Sequence, residues 1–212
     1  MSERFTPFPL YAILDTESLG GRAPLEVLRQ FLFAGAKLVQ LRAKDVPSKE
    51  FFALAQAVRE MTRRAGAMLI VNDRADIALS VHADGGHLGQ EDLPLAAARK
   101  IAGGKLVIGV STHDLAQAKE AEAGGADYIG FGPIFGTATK QTGYSPRGLD
   151  MLREVKKAVK IPVVAIGGIK EANVAEVWKA GADSAAIISD LMGAEDVKEK
   201  VGKILARMEK CK

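Results

Sequence analysis

Along the chain, short runs in which nearly every position is apolar alternate with longer stretches in which apolar residues recur every three or four positions. The runs predict strands at 9–15, 37–42, 68–72, 86–89, 105–111, 128–132, 162–168 and 184–189. The stretches between them predict helices at 24–34, 48–65, 74–81, 94–102, 114–123, 148–159, 171–179 and 195–209, each with one apolar stripe. Strands that are apolar on both faces and separated by helices must run parallel, because each crossover returns the chain to the same end of the sheet. Eight such units with no break in composition predict an α/β fold, a single-domain (β/α)8 TIM barrel over residues 1–212, compact for its class. An open doubly wound sheet would carry a GxGxxG turn after the first strand, where this chain reads DTESLGGR.

Three short segments, 34–36, 125–127 and 181–183, repeat a glycine next to alanine between a helix and the following strand. They read as helix ends turned by a left-handed glycine and are assigned to structure. Charge runs such as Val197-Lys198-Glu199-Lys200 read as a solvated helix face.

Composition removes several classes of function. With 48% hydrophobic and 26% charged residues the chain is an ordinary globular one. The net charge of +3 and the 6% aromatic content give neither the field nor the stacking platform of a nucleic-acid binder. No apolar run approaches the roughly 18 residues of a membrane span. MSERFTPFPLYAILD lacks the basic end and unbroken apolar core of a secretory signal. A single cysteine, Cys211, forms no internal disulfide and no cysteine metal cluster. The expectation is a cytoplasmic protein whose partners are small anionic molecules, with no nucleic acid and no membrane.

In a barrel of this kind, function gathers at the C-terminal ends of the strands. The second strand runs into Gln40, Arg42 and Lys44, placed by alternation on one side, with Leu41 and Ala43 on the other. That set suits a diphosphate, or else forms a salt bridge to a neighbouring strand. Asp73 follows Asn72 at the end of the third strand and Asp92 follows the fourth, so both could approach one magnesium ion completed by phosphate oxygens. Alternatively, each aspartate caps the helix that follows. Ser111 ends the fifth strand, and Asp114 reads as a helix N-cap. His82, His87 and His113 show no metal-ligand spacing and are assigned to structure or surface. Residues 132–146, with hydroxyls, Lys140 and an apolar base of Pro133, Ile134 and Phe135, form a candidate lid. Glycines at 167 and 168, with Ile188 and Ser189, suit a phosphate pocket beside the last two strands. Two anion sites on one rim imply two phosphorylated substrates. No serine or cysteine nucleophile arrangement is present.

QLRAK at 40–44, VNDRADIAL at 71–79, HLGQEDL at 87–93, GVSTH at 109–113, FGPIFGTATK at 131–140 and AIGGI at 165–169, in this order, resemble the thiamine phosphate synthase family across almost the whole chain. The resemblance implies a transferase that joins hydroxymethylpyrimidine diphosphate to a thiazole phosphate, carboxylated or not, by a magnesium-assisted dissociative substitution through a pyrimidine carbocation. It implies pyrimidine diphosphate contacts at Gln40, Arg42, Lys44 and Asn72, and magnesium ligands at Asp73 and Asp92. Lys140, Ser111 and Arg42 become the catalytic residues, stabilising the departing diphosphate. Thr137 and Thr139 become lid residues near the thiazole phosphate, and Gly168, Ile188 and Ser189 become its pocket. Gly136 stands where the family's lid carries proline. Thiazole tautomerase is similar but has a histidine in place of Pro133 and lacks the full diphosphate and magnesium set. A phosphometabolite sensor would bind the thiazole phosphate without turnover.

Overall fold

The computed structural model describes residues 5–137 and 143–210. Among these, eight parallel strands close into a barrel in chain order: β1 Leu10–Asp15, β2 Leu38–Arg42, β3 Met68–Asn72, β4 Gly85–Leu88, β5 Val107–Thr112, β6 Tyr128–Phe131, β7 Val163–Ile166 and β8 Ser184–Ile187. The surrounding helices are α1 Pro24–Phe33, α2 Ser48–Arg64, α3 Ala75–Ser80, α4 Leu95–Ala102, α5 Leu115–Ala123, α6 Gly148–Ala158, α7 Val174–Lys179, a one-turn α8 Ser189–Met192 and α9 Val197–Glu209. A 3-10 turn, Thr16–Ser18, follows β1.

Alternation along each strand sorts the core into two bodies. Leu10, Ala12, Leu14, Val39, Leu41, Leu69 and Val71 face outward and pack with the helices. Tyr11, Ile13, Leu38, Ile70, Val107, Tyr128, Val164 and Ala186 fill the barrel interior, joined by Phe5, whose ring stacks on Tyr128 at 4.2 Å between centroids. Room for that aromatic pair is made on β5. A Cβ on Gly109 would sit 2.0 Å from Tyr128 Cζ, so no larger residue fits there.

The floor is tied by a device that repeats before alternate strands. Asp84, Asp127 and Asp183 each present Oδ2 to one backbone N–H at the start of the preceding strand, at Leu69, Ile108 and Val163, each at 2.7 Å. Each also holds a cation from the helix before that strand, Arg59, Arg99 and Lys156 in turn. Three N–H groups at the floor are thereby paired within the protein.

The sequence expectations hold in element order and depart at several ends. Gly35, Gly125 and Gly181 have φ of +95°, +85° and +96°, the left-handed turns expected at those helix ends. Asp114 caps α5, accepting the Gln117 N–H at 2.8 Å. β7 stops at Ile166 rather than 168, because Gly167 and Gly168 turn out of the strand at φ +98° and +64°. β8 likewise stops at Ile187, and Ser189 opens α8, too short to show in the apolar period. No helix of the described residues is long and apolar enough to cross a membrane.

Candidate active site

The C-terminal mouth of the barrel holds one cleft with two halves. Gln40, Arg42, Asn72 and His87 line the first, over Tyr11 and Ile13. Thr137, Gly167, Gly168, Ile188 and Ser189 line the second, with His113 and Pro133. Ser111, Gly130, Ile166, Ala186 and Ile188 border both.

Arg42 is held by acids from the neighbouring strand and turn. Its Nη1 lies 2.5 Å from Asp15 Oδ1 and 2.6 Å from Glu17 Oε2, and Ser18 Oγ donates to the other Asp15 oxygen at 2.7 Å. The salt-bridge alternative for Arg42 is therefore realised, and its place in the cleft is retained as well. Burial opposes the guanidinium charge, but the hydrogen bonds to Glu17 and Asp15 outweigh it and raise the Arg42 pKa. Both acids use one nitrogen, so the fork keeps donors on its others.

Lys44 departs from expectation. β2 ends at Arg42, so the alternation that would align Lys44 with Gln40 and Arg42 no longer applies. Lys44 stands on the rim, half-exposed, with Nζ 3.7 Å from Asp73 Oδ2. Neither aspartate stands at the N-cap position, which Arg74 and Pro94 occupy for α3 and α4. Asp73 has φ +63°, and its N–H donates to the His87 carbonyl at 2.8 Å, fastening the end of β3 to β4. Asp92 Oδ2 accepts the Gly89 N–H at 2.6 Å inside its own loop, and its side chain borders a groove toward α5 at Gln117 and Glu120. Among the described residues no group of three His, Cys, Asp or Glu is gathered as a metal cluster.

The loop after β6 is anchored at its base, as its apolar start implied. Ile134 N and Phe135 N donate to the carbonyls of Ile166 and Gly167 at 2.9 and 3.0 Å. Its far end returns to the same place, with Arg147 N on Pro133 O at 2.7 Å and Gly148 N on Ile134 O at 3.0 Å. A Cβ on Gly168 would meet Gly136 O at 2.6 Å, so this glycine is required by the close approach of the loop. Thr137 reaches the cleft. Thr139 and Lys140 lie outside the described residues.

Sequence reasoning missed the interior of the site. His87 and His113, assigned to structure or surface, both line the cleft. His113 Nδ1 donates to Gly132 O at 2.6 Å, and its ring stacks on Tyr144. His87 joins a buried polar row: Gln40 Nε2 donates to Tyr11 Oη at 2.9 Å, Tyr11 and Tyr128 hydroxyls meet at 3.0 Å, His87 Nδ1 lies 3.0 Å from Tyr128 Oη, and His87 Nε2 lies 2.9 Å from Ser111 Oγ. Burial is the main cause that lifts both phenols well above their ordinary pKa, so both keep their protons. The signal available in sequence was strand parity: Tyr11, His87 and Tyr128 occupy inward positions, where a polar tip needs a buried partner.

A profile of the thiamine monophosphate synthase family matches residues 10–191. The chain belongs to that family. The thiamine-phosphate synthase of Moorella thermoacetica is 51% identical over 188 residues, covering 89% of this chain and 90% of that one. The thiamine-phosphate synthase of Pelotomaculum thermopropionicum is 49% identical over 192 residues, covering 91% and 88%. A thiamine phosphate pyrophosphorylase structure from Pyrococcus furiosus superposes with a TM-score of 0.89 at 41% identity, covering 96% of each chain. The cleft described above is therefore the mouth of a thiamine-phosphate synthase barrel, a transferase of thiamine biosynthesis, and the residues lining it are read in those terms below.

Proposed function

We propose that the chain joins hydroxymethylpyrimidine diphosphate to hydroxyethylthiazole phosphate, or its carboxylated form, and releases diphosphate. The observation that carries this reading is the shared wall of the cleft: Ser111 borders both a half lined by a guanidinium and amides and a half lined by glycines and hydroxyls. Two anionic substrates seated in those halves would meet over the barrel centre.

In this reading the pyrimidine lies against Gln40 and Asn72, with its diphosphate toward Arg42, Ser111 and, on the rim, Lys44. The bond between the pyrimidine methylene carbon and the diphosphate oxygen breaks first, and its electron pair leaves with the diphosphate. The thiazole nitrogen then supplies the pair for the new C–N bond. The charge grows on the leaving oxygens, so donors pre-set around them stabilise the transition state more than the ground state. Lys140 and Thr139 are proposed as lid contacts, with Thr137, Gly168, Ile188 and Ser189 around the thiazole phosphate. Closure of the candidate lid, residues 132–146, would keep water from capturing the cation.

Asp73 and Asp92 are the proposed magnesium ligands. Two carboxylates from adjacent strand ends, without histidine or thiolate, are the donor chemistry magnesium takes, its remaining positions being filled by water and phosphate oxygens. Magnesium, when bound, supplies charge neutralisation to the diphosphate. Lys44 beside Asp73 keeps that carboxylate compensated when the ion is away.

The test is direct. Purified protein given both substrates with magnesium should form thiamine phosphate and diphosphate in equal amounts, and omission of magnesium should abolish both. Isomerisation of the thiazole substrate alone, without coupling, would identify a tautomerase and overturn the proposal.

A further inference from the structure

The buried row from Gln40 to Ser111 crosses the barrel interior through five strands, β2, β1, β6, β4 and β5. Each phenol in it has one hydrogen to give, and each must be spent inside the protein. With its amide set so that Nε2 faces Tyr11 Oη, Gln40 donates there and fills one acceptor position, and the direction of the row follows from that setting. Only two directions for the remaining hydrogens are self-consistent. In the first, Tyr11 donates to Tyr128, Tyr128 donates to His87 Nδ1, and His87 Nε2–H donates to Ser111 Oγ. In the second, every bond reverses: Ser111 donates to His87, His87 to Tyr128, and Tyr128 to Tyr11.

The second direction fails at its end. Tyr11 Oη would receive two hydrogens, from Gln40 and Tyr128, and its own hydrogen would have no acceptor, in a side chain that is 1% exposed. A desolvated donor left without a partner is the costliest state of a hydrogen-bonding group. The first direction spends every hydrogen in the row. It leaves one unspent, on Ser111 Oγ, at the point where both halves of the cleft meet.

The barrel is hollowed for these rings. Gly109 leaves the space that Tyr128 fills, and a Cβ on Gly130 would stand 3.1 Å from His87 Cε1. The backbone of Ser111 is clamped as well, its carbonyl accepting from Gln90 Nε2 at 2.5 Å.

We propose that this row is a hydrogen-bond relay of fixed direction, in which His87, as its neutral Nε2–H tautomer, is a positioning residue that aims the Ser111 hydroxyl hydrogen into the cleft as a donor to diphosphate. The proposal deepens the synthase reading and rests on it for the identity of the anion. In this proposal His87 acts on the anion through Ser111. Tyr128, and behind it Tyr11 and Gln40, hold the tautomer.

The experiment combines a spectrum with a binding and turnover cycle. Long-range proton–nitrogen correlation spectra of nitrogen-15-labelled protein should show the His87 ring as the Nε2–H tautomer, assigned by its absence in His87→Gln. Tyr128→Phe removes the donor to Nδ1 and should release that tautomer while the fold, followed by circular dichroism, is unchanged. His87→Phe should weaken inorganic diphosphate binding and lower kcat by about tenfold, the worth of one hydrogen bond to a charged group. His87→Gln, whose amide nitrogen can replace Nε2–H, should recover most of that loss. In a Ser111→Ala background His87→Phe should cost nothing further. An Nδ1–H tautomer in the unsubstituted protein overturns the relay, as does an undiminished His87→Phe loss in the Ser111→Ala background. Failure of the synthase reading looks different: the unsubstituted protein forms no thiamine phosphate. The tautomer spectrum and the inorganic diphosphate titration need no turnover and decide the relay in that event too.

Discussion

Asp15 and Arg42 are register partners on β1 and β2, and their side chains form an ion pair at 2.5 Å, with 1% and 9% of their surfaces exposed. A pair so far out of water is held by its partner more than by solvent, and removing one member strands the other. Asp15→Ala is expected to lower stability by about 3 kcal/mol. It should also weaken diphosphate binding, because the guanidinium loses the contact that orients it. Asp15→Asn, which keeps an acceptor, should cost less. Denaturant midpoints and diphosphate titrations measure both. An unchanged midpoint in Asp15→Ala would mean that Glu17 alone holds the guanidinium.

The two halves of the cleft predict opposite selectivities. Arg42→Lys keeps the charge beside Asp15 but loses the second donor edge of the fork, so pyrimidine diphosphate affinity should fall about tenfold with thiazole phosphate affinity unaltered. Ser189→Ala should do the reverse, by a smaller factor. Calorimetric titration of each ligand into each variant checks the pairing, and parallel losses for both ligands would contradict it.

Asp73→Asn and Asp92→Asn remove the proposed magnesium charge while preserving geometry. Asparagine tolerates the left-handed backbone of Asp73, and an amide oxygen at 92 can still accept the Gly89 N–H. Each variant should therefore melt close to the unsubstituted protein and lose magnesium-dependent product formation by more than about a hundredfold, since a hard divalent ion binds poorly with one carboxylate gone. Turnover equal to that of the unsubstituted protein in both would refute the metal assignment.

Gly168→Ala tests the seat of the loop after β6. Its new methyl would face Gly136 O at 2.6 Å and Phe135 Cβ at 2.7 Å, in a backbone with φ +64°. The expected cost is about 1–3 kcal/mol in stability. A larger proportional loss should appear in thiazole phosphate binding, because the displaced loop carries Thr137. Retention of full affinity would show that the loop's seat can shift without disturbing the pocket.

The barrel was legible in the sequence because its causes are local. Apolar runs such as LYAILD and LVQLR, separated by helical periods, leave parallel pairing as the arrangement that buries both faces, and the glycines at 35, 125 and 181 mark their own left-handed turns. The hydroxyls and glycines at strand ends were legible for the same reason, since a strand end is found by where the apolar run stops.

What the chain order alone could not decide is which inward residues meet. Parity says that Tyr11, Gln40, His87, Ser111 and Tyr128 point inward. Only closure of the sheet, with the tilt it imposes, brings Tyr11 and Tyr128 hydroxyls to 3.0 Å across a separation of 117 residues. The same holds for Lys44, removed from its strand by an early end to pairing, and for the rim positions of Asp73 and Asp92. Periodicity assigns a face to each residue, but a site made from several strands takes its distances from the barrel's closure, which no single segment encodes.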